Sequence, residues 1–412
     1  MKSLIITPTY PPMEGRDVHA IYKRLRMFVH TLSEMSDCVT MLHFVEPGAP
    51  ELEQDSRQLD HAQSDYWGTS VRVKLVVKRK QPIPWWQHLR SPFSILSRPR
   101  FFPYVGDDQV AAIVSELEER PDLVLAHRIT AIAPLFRIKH NDVPVFFDLD
   151  DVEHKVKIRS SLASGTMLSK LFNLIQVPGI YFGERKAASI AELTFVCSEL
   201  DRRYLDRLGW REKVQSIPNA LPIPQNVASQ PPTAPVVLFL GNYEYPPNAM
   251  AAERLISNIW PRIINARPTA CLTIAGNRPD LIPAYHRQVA GVEYTGVVDD
   301  LGRLYQRSRV ICCPISIAGG TRVKLVEAAG YAKPMVSTAI GAEGLGMTDN
   351  VEILIRDSDD GIADACSQLI DDAELCARLG SAAREKAMAT YDVVHAKRKI
   401  RDLIAQRVPG RS

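Results

Sequence analysis

Residues 310–338 read VICCPISIAGGTRVKLVEAAGYAKPMVST. An apolar run, a glycine loop, a helix-patterned stretch and a second apolar run follow one another, as in a strand, turn, helix, strand unit of a parallel sheet. Gly319 and Gly320 let backbone amides come close to a ligand, and Thr321 is the expected cap of the helix that follows. A helix start with free amides and a positive dipole suits a diphosphate. Arg322 and Lys324 add two formal charges beside it, and Glu327, one turn on, is acceptor-only and suits two vicinal ribose hydroxyls. The plainer alternative is a loop with solvated cations and a surface carboxylate.

The same alternation extends outward. VVLFL (236–240), CLTIAG (271–276) and VEYTG (292–296) are strands separated by helical patterns starting at Ala249 and Leu301. In the first half, strands are expected at Leu4–Thr7, Val39–Phe44, Val71–Val77, Leu123–Ala126, Val145–Phe147 and Leu193–Cys197, with helices such as Ala20–Leu32 and Gln109–Leu117 between them. Between the halves lies PNALPIPQNVASQPPTAP (218–235), a linker with six prolines in eighteen residues. A chain of 412 residues exceeds the roughly 250–300 residues at which single cores stop growing. The expected fold is therefore α/β, with two Rossmann-like doubly wound domains facing a cleft. The first covers 1–217, the linker 218–235, and the second domain 236–381. A C-terminal helix is expected over 382–412, broken near Tyr391-Asp392; that it crosses back to the first domain is an expectation drawn from similar proteins.

Composition narrows the class. An apolar share of 46% and a charged share of 24% are ordinary for a globular protein, and a net charge of +3 gives no nucleic-acid footprint. The opening MKSLIITPTYPP is too short in apolar residues for a signal peptide and reads as a first strand. No run approaches the ~18 apolar residues of a membrane span. Seven cysteines without metal-type spacing fit a reducing compartment, and Cys312-Cys313 read as inert thiols on a buried strand. The expected location is cytoplasmic, with peripheral contact to the inner face of the membrane as an option.

The stretch Gly319–Glu327 and its flanks resemble the donor site of the retaining GT-B glycosyltransferases of family 4, of the bacterial polysaccharide-pathway type. FLGNYEYPPNAMAAERLISNIWP (239–261) is similar to that family's first strand, glycine turn and helix, LTIAGNRPD to its next strand and turn, and VEYTGVVDDLGRLYQRSRVICCP to its base-binding segment. The resemblance implies a donor site of Gly241, Asn242, Gly276, Val297, Gly319, Gly320, Thr321 and Glu327, with Arg322 and Lys324 as catalytic cations. There are two departures from the family pattern. The family's first motif glutamate falls at Gly319, and its turn arginine and the lysine six residues on are replaced by Asn242 and Asn248. The expectation is that positive charge has moved between loops, to Arg322 and Lys324.

On the acceptor side, Thr9–Gly15 resembles the family's loop after the first strand, with Gly15 as the close-approach point. VFFDLDDVEH (145–154) clusters Asp148, Asp150, Asp151, Glu153 and His154 at a strand end. Asp148 and Asp150 are candidate catalytic acids, with Asp151 and His154 beside them. One of the two, 148 or 150, stands where relatives often carry a histidine. Helix capping is the competing reading. No metal and no cofactor beyond the nucleotide-sugar substrate are expected. From Arg72 to Phe102 eight cations and no acid are interleaved with Trp85, Trp86 and phenylalanines, which fits either a membrane contact or an insertion folded onto the domain.

These readings converge on a hexosyltransferase-type enzyme that passes a sugar from a nucleoside diphosphate to a glycan or lipid-linked acceptor, with retention, in cell-surface polysaccharide synthesis. A GT-B-shaped nucleotide-sugar epimerase and a non-catalytic binding protein are the alternatives. A dinucleotide dehydrogenase lacks its G-x-G-x-x-G, and no nucleic-acid partner is expected.

Overall fold

The structure, a computed structural model, describes residues 1–8, 10–11, 20–78, 105–139, 142–162, 166–210, 213–227, 230–317 and 319–408. The chain divides into two compact units, each built on one sheet.

The first unit holds β1 (Lys2–Thr7), β2 (Cys38–Val45), β3 (Arg72–Val77), β4 (Leu123–His127), β5 (Val145–Asp150), β6 (Leu193–Val196) and β7 (Val214–Ser216). All are parallel, in the order β3-β2-β1-β4-β5-β6-β7. Strands buried on both faces read as near-continuous apolar runs, as β4 (LVLAH) does, while β5 (VFFDLD) carries its acids toward its end. Every residue of β4 and β5 is buried. The strand order turns back between β1 and β4, the switch point at whose carboxyl edge such sheets take ligands. Residues Lys397–Ser412 group with this unit. Lys397 and Arg401 of the last helix, Val393–Ala405, pair with Glu34, and Lys399 donates to the Ser216 carbonyl at 2.8 Å.

The second unit holds β8 (Val236–Leu240), β9 (Cys271–Ala275), β10 (Val292–Gly296), β11 (Val310–Cys313), β12 (Met335–Ser337) and β13 (Leu354–Ile355). They form a parallel sheet in the order β10-β9-β8-β11-β12-β13, with its switch point between β8 and β11. Trp260, Phe239, Tyr243 and Tyr305 are fully buried in its core. The Pro-rich stretch from Pro218 belongs to this unit. Cations tie its backbone down: Arg384 donates to the Pro224 carbonyl at 2.6 Å and Arg309 to that of Pro232 at 2.7 Å. Cys312 and Cys313 are buried on β11, and all seven thiols are free.

One local expectation is corrected. The helix after the glycine loop is Val323–Gly330 and its cap is Arg322, so Thr321 does not cap it. The Thr321 hydroxyl instead accepts from the Asn219 side chain at 2.9 Å. The basic segment opens with β3, where Lys74 pairs with Glu116 and Lys78 lies 3.7 Å from Glu46. Those two cations thus have protein partners, while Arg79–Phe102, with both tryptophans, lies outside the described residues.

Candidate functional site

In the second unit the candidate residues gather at the β8/β11 switch point. Gly241 and Asn242 follow β8 directly, and the loop after β11 carries Gly319 to Arg322 into the helix Val323–Gly330. Gly320 sits at φ +59°, a conformation glycine adopts without strain. The Arg322 side chain folds back onto its own loop and donates through Nη2 to the carbonyls of Gly319 and Gly320. Its Nη1 is buried and has no hydrogen-bond partner among the described residues. A buried guanidinium with an unmet donor leaves a place for an anion to fill.

Lys324 points the other way. Its Nζ donates to Asn248 Oδ1 at 2.9 Å and lies 4.4 Å from the centre of the Phe239 ring. Asn248 in turn donates to the Asn242 carbonyl at 2.9 Å. The ammonium from one loop therefore sits on the side chain at position 248, in the turn after β8. Burial pushes the Lys324 pKa down to about 8, so the group is poised to gain charge stabilisation from an arriving anion.

Glu327 lies one turn further on. Its Oε2 accepts from the buried Tyr305 hydroxyl at 3.0 Å, and its Oε1 pairs with Lys23, which groups with the second unit. Tyr305 was missed by the sequence reading. It is fully buried on the helix Leu301–Arg307 and stacks on Tyr331, with ring centres 5.2 Å apart. Its single proton can reach either Glu327 or the Lys324 carbonyl, 3.1 Å away. Gly276 has a packing reason for being glycine: at φ +130° an added Cβ would fall 1.8 Å from the Gly241 carbonyl oxygen. Val297, just after β10, is 46% exposed and available to a ligand.

In the first unit the acids are not one open cluster. Asp148 is completely buried and holds Arg24, whose Nε donates to both carboxylate oxygens at 3.0 Å. His127 Nδ1 lies 2.9 Å from the same carboxylate. Burial alone would raise the Asp148 pKa, but the Arg24 charge and the His127 contact hold it below the usual value. Asp148 is thus the counter-ion of a buried arginine, which corrects its assignment as a catalytic acid. His154 is corrected likewise: it is 2% exposed, with Nδ1 on Glu184 and Nε2 2.9 Å from the Tyr204 hydroxyl.

Asp150 is different. It sits at the end of β5 with φ +61°, and Arg128, just after β4, has φ +72°. Arg128 Nη2 donates to Asp150 Oδ2 at 3.1 Å. Two non-glycine residues in the left-handed region, bridged at a carboxyl edge, carry strain of the kind that clusters at functional sites. Asp150, Asp151 and Cys197 also bring their ligand atoms within 4.8 Å of one another. The nearest charges are the arginines, since Arg24 Nε is 3.3 Å from Asp150. Arg128 and Arg24 were not singled out from sequence, where His127 after LVLA reads only as a cleft-edge or structural histidine; the polar pair immediately after a buried strand was the available signal for Arg128. Gly15 lies outside the described residues.

With this geometry in hand, the comparisons are specific. Residues 234–372 match the family model of glycosyl transferases group 1. An uncharacterised 44.6 kDa protein in the cps region of Klebsiella pneumoniae is 24% identical over 131 residues, covering 30% of this chain and 34% of that protein, about a third of its length. Among solved structures, Anabaena HepE in complex with UDP and glucose has 17% identity and a TM-score of 0.65, covering 98% of this chain and 99% of that one. Sucrose-phosphate synthase from Thermosynechococcus elongatus has 15% identity and a TM-score of 0.66, covering 98% of each. The fold is that of the GT-B glycosyltransferases, two parallel-sheet Rossmann-like units. Residues 234–372 thus carry a glycosyl transferases group 1 domain.

Proposed function

We propose that the protein is a retaining glycosyltransferase of family 4 that moves a hexosyl unit from a nucleoside-diphosphate sugar to a glycan or lipid-linked acceptor in cell-surface polysaccharide synthesis. The observation that carries this reading is Lys324 bonded to Asn248. A cation is delivered to the position where family resemblance calls for a lysine, although the residue there is neutral. With Arg322 it supplies the charge a departing diphosphate requires, and the helix start at Val323 adds its dipole. Glu327, oriented by Tyr305, takes the ribose hydroxyls. The chemistry then needs leaving-group stabilisation and placement more than a strong base, and the departing phosphate takes the acceptor proton.

Arg128 and Asp150 are the acceptor-side pair of the first unit, with the polarised His127 beside them. UDP is the first donor to test, because the HepE structure holds UDP and glucose, and the cps-region relative favours a polysaccharide acceptor. A lipid-linked acceptor would bring the enzyme to a membrane, where the cations and aromatics of 79–102 are one contact. A thermal-shift panel of UDP, GDP, ADP and their sugars tests the donor reading. The correct nucleotide at a hundredfold excess over Kd should stabilise by about 2.7 kcal/mol. Absence of any shift across the panel would overturn the donor site, and sugar turnover without acceptor would favour an epimerase.

A further inference from the structure

The second unit holds a cavity of about 160 Å³ at the amino edge of its sheet. Arg309 stands just before β11, Lys333 just before β12, and Pro232, in the Pro-rich stretch, shortly before β8. The helix Ala373–Tyr391 closes another side with Cys376, Ser381 and Arg384. In a parallel sheet this edge is the opposite one to that carrying Gly241 and the glycine loop.

Three cations line this space, and among the described residues no carboxylate does. Arg309 and Lys333 are each 5% exposed. The oxygen partners of all three are backbone carbonyls: Leu369 and Pro232 for Arg309, at 3.0 and 2.7 Å, Gln306 for Lys333, at 3.0 Å, and Gly330 and Pro224 for Arg384. The plainer reading makes these side chains staples of the Pro-rich stretch and caps of two helix ends, since Gln306 and Gly330 lie in last turns. Carbonyl dipoles satisfy donors, however, and leave three formal charges uncancelled. Donors are also left over: a guanidinium has five and an ammonium three, and Arg309 Nη2 has no oxygen partner among the described residues.

The anionic groups at hand are otherwise engaged. The Cys376 thiol is kept neutral, its pKa raised by burial to about 11. Asp371, whose carboxylate feels the Arg309 charge, pairs with Arg267. Asp372 accepts from the Leu375 amide at 2.8 Å as a helix cap. Burial without a carboxylate partner also lowers the Lys333 pKa to about 8. Dry cations that share a cavity and lack a counter-ion are what a phosphate needs, and Gln225, Gln230 and Ser381 add neutral donors. The volume is below the roughly 300–1,000 Å³ of pockets for drug-sized ligands, which excludes a nucleotide and suits one phosphate with a short substituent.

We propose that this cavity binds a phosphate group, as inorganic phosphate or as the terminal group of a small monoester, between Arg309, Lys333 and Arg384. The site shares no residue with the donor site and does not depend on the donor reading. The test is calorimetric titration of the full chain with inorganic phosphate and with glycerol 3-phosphate, at constant ionic strength set with chloride. Wild type should bind both; tighter binding of the monoester identifies a phosphorylated metabolite as the ligand, and equal affinities identify free phosphate. Ser381→Glu puts a carboxylate on the wall without removing a hydrogen bond of the three cations. It should weaken both ligands by about tenfold or more, the scale of one charge at close range, while Ser381→Gln should bind like wild type. Lys333→Met should lose binding as well; because it also strips the Gln306 carbonyl, its melting temperature is read alongside, and Ser381→Glu decides if that variant unfolds. Wild type that binds neither ligand overturns the proposal, as does a folded Ser381→Glu variant that binds no worse than Ser381→Gln.

Discussion

Raising the pH from 7 to 9 should weaken nucleoside-diphosphate binding about tenfold, through one side chain. Lys324 is held by burial at a pKa of about 8, so its protonated fraction falls from roughly nine-tenths to one-tenth across that interval. Because the folded value is lowered below the ordinary one, the ammonium is less favoured in the free protein than in water, and a bound diphosphate raises its share again. Affinity is therefore greatest below pH 8 and declines above it, by at most about tenfold per pH unit, or about 1.4 kcal/mol. Calorimetric titration with UDP at pH 7, 8 and 9 reads the slope. Lys324→Arg keeps its charge throughout, so its profile should be flat over the same range. Lys324→Met should bind weakly at every pH and also show no slope. A flat wild-type profile, or an arginine variant with the wild-type slope, would show that the ammonium does not meet the diphosphate.

Three further outcomes follow from the same geometry. Arg322→Ala should lower turnover by about 10²–10³ with a smaller change in donor affinity, as measured by steady-state kinetics, because charge on the diphosphate grows mainly as the bond breaks. Glu327→Ala should weaken nucleotide binding by about 1–3 kcal/mol, and Tyr305→Phe by less, since the carboxylate loses only its orientation; equal affinities by calorimetry would remove both from the ribose site. Asp148→Ala should destabilise the protein by about 3–5 kcal/mol in a denaturant titration, because Arg24 would be left as an uncompensated buried charge. Loss of turnover with unchanged stability would return Asp148 to the catalytic list.

The sheets were legible because buried parallel strands are written as continuous apolar runs, and the strand expected at Leu4–Thr7 is found as Lys2–Thr7. The cap of the helix after the glycine loop was misread by one residue because threonine is the better capping type, while the backbone places Arg322 there. The acids at the end of β5 were misread for a deeper reason. Local clustering cannot distinguish a site from a counter-ion when the deciding partner is remote, and Arg24 lies 124 residues from Asp148. His127 and Arg128 are likewise invisible as partners until β4 and β5 are paired, with His127 opposite Asp148.

On the proposed reading, with Asn242 and Asn248 where the family carries cations, a charge requirement survives a change of address. A diphosphate needs positive potential at a place, and the side chain that supplies it can start from either side of the β8/β11 switch point. Asn248 has become the acceptor that holds Lys324, and Phe239 offers its ring face to the same ammonium. This arrangement differs physically from a lysine on the turn. The cation is drier, which is why its pKa falls to about 8, and it is fixed by two contacts before any ligand arrives. Preorganisation of that kind avoids the cost of ordering a long side chain at the moment of reaction. The price is sensitivity to pH near neutrality, which an exposed lysine would not show, and Asn248→Ala separates the two cases. Removing only the acceptor should release the ammonium toward solvent, move the binding profile to higher pH, and lower turnover more than affinity. A variant that keeps both the midpoint near pH 8 and full turnover would mean that Phe239 and the surrounding burial, not Asn248, hold the cation in place.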